Sequence, residues 1–353
     1  MKNITTSYKV GIIGIRGLPA MYGAFDRFVE QLVFSKNIKK KNFFFYVSCD
    51  TLFKHHAFDC SNVKRIFTFR GKSTFILLSY LINIVKMYFC GVRCFIFFGY
   101  GAAPFFYLLN LLKCKIICNP DGIEWRRPEG KFKKLYFRFC EKLISNININ
   151  RIYDSKVIER YYNIKHTAVG KTVYYPSVFE NLKTLSKKEK NFERFYIIGR
   201  LLEENNTEMI VKAFSKLGNG KKLYIIGKSN VYFEKNIRPY ILKFKNIIHL
   251  GPIYNQDKLF KICSLFDYYV HGHSVGGTNP TLIEAINLKK PVIAFKTSFN
   301  REILNQNSEY FSNEEELYNL INSNYHHKIE KPIFKNEFKA DYINNEYIKS
   351  IFQ

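Results

Sequence analysis

A glycine pair followed by a helix start is the pattern in this sequence that most clearly suits phosphate binding. Gly276 and Gly277 follow a short apolar run, YYV, and a turn. Glycines let the backbone approach a ligand closely, while Asn279 suits an N-cap and Pro280 the first helical position. The N–H groups and dipole of such a helix start favour a phosphate. Glu284 lies about one turn further on, within reach of the sugar hydroxyls of a nucleotide, although an ordinary capped helix with a solvated glutamate fits the same spacing.

A second glycine loop directly follows the first apolar run of the chain. Gly14 and Gly17 flank Arg16, and a helical pattern begins soon afterwards. This context resembles a phosphate loop, although it matches neither G-x-G-x-x-G nor the Walker sequence. Arg16 can pair with a phosphate or a carboxylate through two parallel hydrogen bonds. A salt-bridged loop arginine is the alternative.

The single tryptophan of the sequence lies in a charged loop after the strand-like segment KIICN. Asp121 and Glu124 precede Trp125, and Arg126 follows it. Carbohydrate sites often combine a flat aromatic ring with carboxylates and arginines, so Asp121 and Glu124 are candidate catalytic carboxylates. The alternative is a tryptophan that only packs the loop down.

Arg200 follows another apolar run, FYIIG. It is positioned to neutralise a diphosphate leaving group, because negative charge builds on the departing phosphate when a sugar–phosphate bond breaks. A loop arginine paired with Glu203 or Glu204 is the alternative. No D-x-D sequence occurs in the chain, so we expect no metal and no cofactor; arginine, lysine and a helix N-terminus would take the place of Mg²⁺.

Short apolar runs alternate with helical patterns along the whole chain, which predicts an α/β fold with parallel sheets covered on both faces. Two such series predict two doubly wound domains, 1–170 and 171–337, with a C-terminal helix near 338–353 that packs back on the first. Ligands bind at the carboxyl ends of the strands in such sheets, so we expect a site in a cleft where the two domains face each other. The predicted strands are Lys9–Ile13, Phe43–Val47, Cys94–Phe98, Lys115–Cys118, Thr172–Tyr175, Phe195–Ile198, Lys222–Ile226, Asn246–Leu250, Tyr268–Val270 and Pro291–Ala294.

The composition is that of a folded protein with a strong positive charge. The chain has 353 residues, 47% of them hydrophobic, and a formal net charge of +26. That charge favours nucleic acid, an anionic membrane or phosphorylated substrates as partners, although a lysine-rich solvated surface is equally consistent. The eight cysteines include no C-x-x-C pair, so they indicate buried apolar side chains in a reducing cytoplasm rather than zinc ligands.

The stretch 75–112 is very apolar and aromatic, but Lys86, Arg93 and a glycine turn interrupt it. No clean run of about 20 apolar residues remains, so a spanning helix is not expected. A face resting on lipid is one interpretation. A buried helix, strand and helix is the other.

Four segments, in order, resemble the family 4 retaining glycosyltransferases of the GT-B fold, in particular the bacterial polysaccharide rhamnosyltransferase-like subset. The matching segments are GIRGLPAMYGAFD, DGIEWRR, GRLLEENN and HGHSVGGTNPTLIEA. The resemblance covers residues 9 to about 302 and implies two Rossmann-like domains. It also implies retaining, metal-independent transfer from a nucleotide-diphospho-sugar.

The resemblance implies roles for individual residues. Glu284 would bind the donor ribose, and Arg200 would pair with the diphosphate. Residues of the glycine loop would surround the diphosphate and sugar, and those of the first loop would line the cleft; Trp125 and Arg126 would lie on the acceptor side. The donor loop comprises His273, Gly276, Gly277, Thr278 and Asn279, and the cleft loop comprises Gly14, Arg16, Gly17 and Tyr22.

Substrate and location follow from the same resemblance. The expected donor is dTDP-rhamnose, and the expected acceptor is a lipid-linked saccharide in capsule, O-antigen or exopolysaccharide synthesis. The protein would be cytoplasmic and peripherally bound to the inner face of the plasma membrane. UDP-galactose, UDP-glucose or a UDP-N-acetylhexosamine are alternative donors. A catalytically silent scaffold or a nucleic-acid binder are alternative classes, the second lacking any named nucleic-acid motif.

The sequence departs from the family patterns at three places, two relative to the broad family and the third, in the first loop, relative to the rhamnosyltransferase-like subset. The family has an E-x7-E pair, but Gly276 stands eight residues before Glu284. The usual lysine five residues after the arginine is Asn205, and both changes are shared with the rhamnosyltransferase-like subset. Ala24 and Asp26 replace a Gly and a Glu of the first loop. With no carboxylate at Gly276, the sequence favours a front-face substitution in which the leaving diphosphate accepts the proton of the acceptor hydroxyl.

Overall fold

The computed structural model describes residues 7–21, 23–36, 38, 42–69, 74–127, 130–177, 192–304 and 308–353. The chain forms two compact units. The first unit comprises Met1–Pro176 and Asn336–Gln353, and the second comprises Ser177–Lys335.

The first unit contains a seven-stranded sheet in the order β3-β2-β1-β4-β5-β6-β7, in which every strand pairing is parallel. The right-handed crossovers of such a sheet place helices on both faces. Its strands are β1 (Tyr8–Ile13), β2 (Phe43–Asp50), β3 (Val63–Thr68), β4 (Cys94–Phe98), β5 (Lys115–Asn119), β6 (Asn150–Tyr153) and β7 (Lys171–Thr172). Its helices are α1 (Ala24–Phe34), α2 (Thr74–Phe89), α3 (Phe106–Leu111), α4 (Lys131–Asn146), α5 (Lys156–His166) and a C-terminal helix (Ala340–Phe352).

Two apolar cores lie on opposite faces of this sheet. Successive side chains of a strand point to opposite faces, and β4 shows the alternation: Phe95 and Phe97 belong to one core, whereas Ile96 and Phe98 belong to the other. Helices α2 to α5 cover the first core, while α1 and the C-terminal helix cover the second.

The C-terminal helix is an integral part of the first unit. The Asn119 side-chain amide donates a 2.8 Å hydrogen bond to the Tyr347 hydroxyl, and the Lys115 ammonium donates to the Ile351 carbonyl at 2.9 Å. Tyr347 and Ile351 are buried against the sheet. The chain therefore returns to complete the core of its first unit after the second unit has ended.

The second unit contains a six-stranded parallel sheet in the order β10-β9-β8-β11-β12-β13. Its strands are β8 (Glu193–Ile198), β9 (Lys221–Ile226), β10 (Ile247–Gly251), β11 (Tyr268–His271), β12 (Val292–Phe295) and β13 (Glu309–Phe311). Its helices are α6 (Thr207–Ser215), α7 (Val231–Asn236), α8 (Arg238–Lys243), α9 (Gln256–Leu265), α10 (Pro280–Asn287), α11 (Ser298–Leu304) and α12 (Glu314–Asn322). The C-terminal helix of the first unit is α13.

The predicted α/β class with two doubly wound parallel sheets is confirmed. The strand predicted at 172–175 in the second series is wrong: β7 covers only Lys171–Thr172 and pairs with β6 of the first sheet. Val173 and Tyr175 are nevertheless buried in the first unit, which explains the apolar pattern. The prediction missed β3, β6 and β13, which are short or carry charged residues.

Among the described residues, no helix combines the length and apolar character that crossing a membrane requires.

Candidate functional site

The glycine loop of the second unit leads into a capped helix. The Asn279 side-chain oxygen accepts hydrogen bonds from the Thr281 N–H at 3.0 Å and from the Thr281 hydroxyl at 2.8 Å. Pro280 is the first residue of α10. Pro280 has no N–H, and the N–H groups of Leu282 and Ile283 donate to the Asn279 carbonyl at 3.0 and 3.3 Å. The positive end of the helix dipole, rather than free N–H groups, therefore makes the start of α10 suited to an anion.

Gly276 adopts a backbone conformation that other residues avoid. Its φ angle is +109°, and a Cβ atom built there would lie 3.4 Å from Nε2 of His273. The next two residues, Gly277 and Thr278, are buried. The loop therefore presents its backbone, with the His273 imidazole beside it.

Two predicted motifs of the second unit meet at the carboxyl ends of β8 and β11. Nδ1 of His273 lies 2.7 Å from Oδ1 of Asn205. The Glu204 carbonyl accepts hydrogen bonds from the Ser274 N–H at 3.0 Å and from its hydroxyl at 2.8 Å. A Cβ atom on Gly272 would lie 2.1 Å from the Asn205 carbonyl oxygen, so the two loops are in close backbone contact.

Arg200 lies on the loop after β8 with 66% of its side chain exposed. Its Nη2 atom is 3.0 Å from Oε1 of Glu204, whose side chain is only 8% exposed. A surface ion pair contributes about 0–1 kcal/mol. That range applies to pairs in which both charges are exposed, whereas the Glu204 side chain is largely buried, so a phosphate would compete with Glu204 for the exposed guanidinium.

Glu284 lies on α10 and is held by a short chain of hydrogen bonds. The Ser177 hydroxyl donates to its Oε2 atom at 2.8 Å. The Asn287 amide donates in turn to the Ser177 oxygen at 2.8 Å. These contacts fix the direction of the carboxylate proposed to bind a ribose.

Buried polar residues that the sequence analysis did not identify lie next to the glycine loop. The Asn300 amide donates to the His273 carbonyl at 3.0 Å and to the Phe295 carbonyl at 2.8 Å. Burial and the neighbouring His273 lower the pKa of His271 well below its usual value, so His271 is neutral. Asn300 follows a strand end, the same signal that identified the other loops; Ser177 offers no such signal.

In the first unit, a buried carboxylate holds the loop after β1. Asp26 is 2% exposed and accepts from the Arg16 N–H at 2.8 Å and from the Gly23 N–H at 3.0 Å. Gly14 has a φ angle of +107°, and a Cβ there would lie 2.0 Å from the Phe98 carbonyl oxygen. Asp26 therefore positions the loop, and Gly14 allows it to cross the end of β4.

The same loop exposes its arginine. The Arg16 carbonyl accepts from the Asp50 N–H at 2.8 Å, while its side chain is exposed to solvent. Gly17 lies against Phe53 with a φ angle of +151°. Tyr22, the fourth predicted residue of this loop, lies outside the described residues.

The charged loop after β5 is organised around one arginine. The Arg127 Nε atom is 3.0 Å from Oε1 of Glu124, and its Nη2 atom is 3.5 Å from Oδ2 of Asp121. The Asp121 N–H donates to Oδ1 of Asn119, and the Glu124 N–H donates to the Tyr100 hydroxyl, both at 2.9 Å. The two predicted carboxylates therefore share one counter-ion.

Glu124 is suited to proton exchange at neutral pH. Burial and the Asp121 carboxylate raise the pKa of Glu124 to about 7, although Arg127 acts in the opposite direction. A catalytic acid or base works best when its pKa lies near the operating pH. A perturbed carboxyl of this kind is also typical of functional sites.

Trp125 fastens this loop to two helices. Its indole N–H donates a 2.7 Å hydrogen bond to Oε2 of the buried Glu141 on α4. Three cations lie near its ring, at 4.5 Å for Arg138, 5.0 Å for Lys165 and 5.4 Å for Arg126. These contacts are the ones expected of a tryptophan that packs the loop down.

A depression lies at the carboxyl ends of β1, β2 and β3, next to Gly14. Its wall includes Asn83, whose amide donates to the Thr68 hydroxyl at 2.8 Å and to the Ser79 carbonyl at 2.9 Å. The Asn83 Oδ1 atom is buried and has no hydrogen-bond partner. An unpaired buried acceptor costs about 1–3 kcal/mol, so Asn83 lowers the stability of this part of the wall.

Within the described part of the chain, one group of side chains is close enough together to hold a metal ion: Glu193, His326 and His327. Nζ of Lys221 lies 2.9 Å from the Glu193 carboxylate. Burial opposes ionisation, but hydrogen bonds from His326 and Lys221 lower the pKa of Glu193 to about 2. This cluster is therefore an ion-pair network at the start of β8, the opposite end of that strand from Arg200.

Comparisons with known proteins divide the chain in the same place as the structure. Residues 7–176 match the family described as "Domain of unknown function (DUF1972)", and residues 178–339 match "Glycosyl transferases group 1". No curated protein matches the sequence.

Solved structures share the fold over nearly the whole chain. Sucrose-phosphate synthase from Thermosynechococcus elongatus gives a TM-score of 0.80 at 13% identity, covering 97% of both chains. HepE from Anabaena in complex with UDP-glucose gives 0.72 at 15% identity, covering 98% of this chain and 99% of that one. A glycosyltransferase from Rickettsia africae gives 0.69 at 17% identity, covering 98% of both chains.

The chain has the GT-B fold of these glycosyltransferase neighbours. Its second unit is a glycosyl transferases group 1 domain. The family match of the second unit is the finding that points to a glycosyltransferase.

Proposed function

We propose that this protein is a retaining, metal-independent glycosyltransferase. It moves rhamnose from a dTDP donor to a lipid-linked saccharide during the synthesis of a cell-surface polysaccharide. The observation that carries the donor side of this proposal is the contact between two loops of the second unit. The His273–Asn205 hydrogen bond holds the Arg200 loop against the glycine loop.

The chemistry of these loops suits a nucleoside diphosphate. The start of α10 and the exposed guanidinium of Arg200 offer two sources of positive charge for a diphosphate. Glu284 offers a carboxylate, oriented by Ser177, that can accept hydrogen bonds from ribose hydroxyls. His273 lies beside Gly276, where a hexose attached to the diphosphate would extend.

Arg200 and the α10 N-terminus supply the charge stabilisation of the reaction. As the bond between the sugar and the diphosphate breaks, negative charge grows on the leaving phosphate, and preorganised donors stabilise it. Gly276 stands where the broad family has a carboxylate. We therefore propose front-face substitution with retention, in which the leaving diphosphate accepts the proton of the acceptor hydroxyl.

The first unit contributes the acceptor side. The depression beside Gly14 is lined in part by the polar residues Asp50, Thr68 and Ser79, which suit a sugar. Burial and the Asp121 carboxylate raise the pKa of Glu124 to about 7, so Glu124 can hold or release a proton on the acceptor side near neutral pH. A lipid-linked acceptor places the protein at the inner face of the plasma membrane as a peripheral protein.

A UDP-sugar is the second candidate donor, because the similar HepE structure contains UDP-glucose. Thermal shift with dTDP, UDP, GDP and their sugars separates the two. Stabilisation by dTDP and dTDP-rhamnose above the others supports rhamnosyl transfer, whereas a preference for UDP and one UDP-sugar supports the alternative. No stabilisation by any nucleoside diphosphate would contradict the donor site itself.

A further inference from the structure

Helix α4 of the first unit exposes a row of large apolar side chains. Phe132 is 92% exposed, Leu135 66% and Phe139 53%. Their spacing of three and four residues places all three on one face of the helix. Such a row is costly in water, because burying one side chain of this size is worth about 1.5–3 kcal/mol.

The surroundings of this row are strongly cationic. Five basic residues of α4 flank it, and the helix has a single acidic residue, Glu141. Glu141 is 1% exposed and is bound by Trp125, Lys165 and other donors, so it does not offset the surface charge. The basic residues are Lys131, Lys133, Lys134, Arg138 and Lys142.

A second apolar row lies on the same side of the first sheet. Helix α2 exposes Leu78, Ile82, Val85 and Phe89, also with helical spacing. Helices α2 and α4 both contribute to the same core. Both helices reach Gly101: its carbonyl accepts a hydrogen bond from Tyr136 of α4, and Tyr80 of α2 lies beside it.

We propose that α4, with α2 beside it, docks this protein on an anionic membrane surface. Exposed Phe and Leu on one face of a helix with Lys and Arg around them are the features of an interfacial helix, which inserts its apolar side into the headgroup boundary. Basic residues next to that face select anionic lipids. A second copy of the chain is a poorer occupant, since a two-fold contact brings identical cationic patches together.

The docking helix is fixed directly to the candidate acceptor loop. The 2.7 Å bond between Trp125 and Glu141 joins that loop to α4. Glu141 is 1% exposed and lies on the face of α4 opposite the apolar row, so membrane contact through α4 would hold the acceptor loop one helix diameter, roughly 10 Å, behind the lipid surface. Only this placement of the acceptor loop rests on the proposed function. The exposed residues and charges of α4 do not depend on any substrate.

Vesicle co-sedimentation of the full chain tests the docking surface. The vesicles are phosphatidylcholine alone or phosphatidylcholine mixed with phosphatidylglycerol. We expect binding to the mixed vesicles that weakens with salt, and at least about a tenfold lower partition coefficient for the triple variant Phe132→Ser, Leu135→Ser, Phe139→Ser. The matched control, Val231→Ser with Leu242→Ser, removes equally exposed side chains from the second unit and is expected to bind like the wild type.

A nucleoside diphosphate thermal shift on every variant shows that it is folded and tests the proposed donor site separately. Unchanged vesicle binding by the triple variant overturns the proposal, and so does equal binding to both vesicle types. A concentration-dependent dimer that the triple variant abolishes, without vesicle binding, also overturns it and identifies a second copy as the occupant. The emission of Trp125, the single tryptophan, gives a further readout, since a blue shift on anionic vesicles alone supports docking.

Discussion

His273 and Asn205 are joined by a 2.7 Å hydrogen bond across two loops that are 68 residues apart in the chain. Asn205 stands where the broad family has a lysine, and His273 lies beside the glycine that replaces a carboxylate. The side chains at these positions therefore connect the loops to each other. This contact joins the two loops into a single surface at the carboxyl ends of β8 and β11.

Replacing Arg200 with alanine is expected to lower turnover by at least about tenfold, because a group that stabilises leaving-group charge is lost. Arg238 provides the control: it also pairs with a glutamate four residues away, at 2.7 Å, and is 56% exposed. Arg238→Ala should stay within about twofold of the wild type. Steady-state rates of sugar transfer measure both variants, and equal rates for Arg200→Ala and wild type would remove Arg200 from the mechanism.

A methyl group on Gly272 is expected to push the two donor loops apart. Because its Cβ would lie 2.1 Å from the Asn205 carbonyl oxygen, Gly272→Ala should cost about 1–3 kcal/mol of stability and weaken nucleoside diphosphate binding. Gly218→Ala is the control, since nothing lies within 4 Å of a Cβ there. Calorimetric unfolding and titration with the diphosphate check both; full affinity in Gly272→Ala would show that the loop contact does not shape the donor site.

The rate of transfer is expected to rise with pH through about 7 if the ionised form of Glu124 accepts a proton. Burial and Asp121 raise the pKa of Glu124 to about 7, so Glu124→Gln should remove this limb of the pH–rate profile. The stability of the fold gives an independent check. Because the folded pKa lies above the ordinary 4.5, the wild type should lose stability relative to Glu124→Gln as pH rises from 4.5 to 7.

Glu330→Gln, an exposed glutamate of the second unit, is the control for both measurements. It should retain the wild-type rise of the transfer rate with pH and the wild-type dependence of stability on pH. A pH–rate limb that persists in Glu124→Gln would assign the ionisation to another group, such as the substrate diphosphate.

The Glu193 network should stabilise the second unit above mildly acidic pH. Since the pKa of Glu193 is lowered to about 2, its contribution is present above 4.5 and is lost as pH falls towards 2. Glu193→Gln should therefore cost about 1–3 kcal/mol at neutral pH, with a smaller difference at pH 3. Glu314→Gln breaks a surface pair with Lys216 and should change stability less than Glu193→Gln does; similar pH profiles for the two variants would contradict this assignment.

The sequence predicted those features of the fold that depend on residues close together along the chain. Alternating apolar runs predicted both sheets, and each predicted loop follows a strand end, because parallel strands bring their carboxyl ends to one edge of the sheet. Asn279 and Pro280 predicted the start of α10 from capping preferences alone. The edge strands β3 and β13 were missed because solvent-facing positions interrupt their apolar pattern.

Contacts between distant segments could not be derived from the sequence. The pairing of His273 with Asn205 depends on how two loops meet, and the pKa of Glu124 depends on burial that a one-dimensional pattern does not encode. The apolar face of α4 was also missed, since a sequence does not show that Phe132 is left uncovered. The predicted roles of Trp125 and Arg126 on the acceptor side remain predictions.

The return of α13 to the first unit has a consequence for the order in which the protein is made. Its buried residues Ile343, Tyr347 and Ile351 complete a core that begins with β1, and they are synthesised after the whole second unit. The second unit is continuous in sequence and can finish its core while translation continues, as domains generally fold as units. The first unit must wait with an open apolar face until the ribosome has released the final turns of α13.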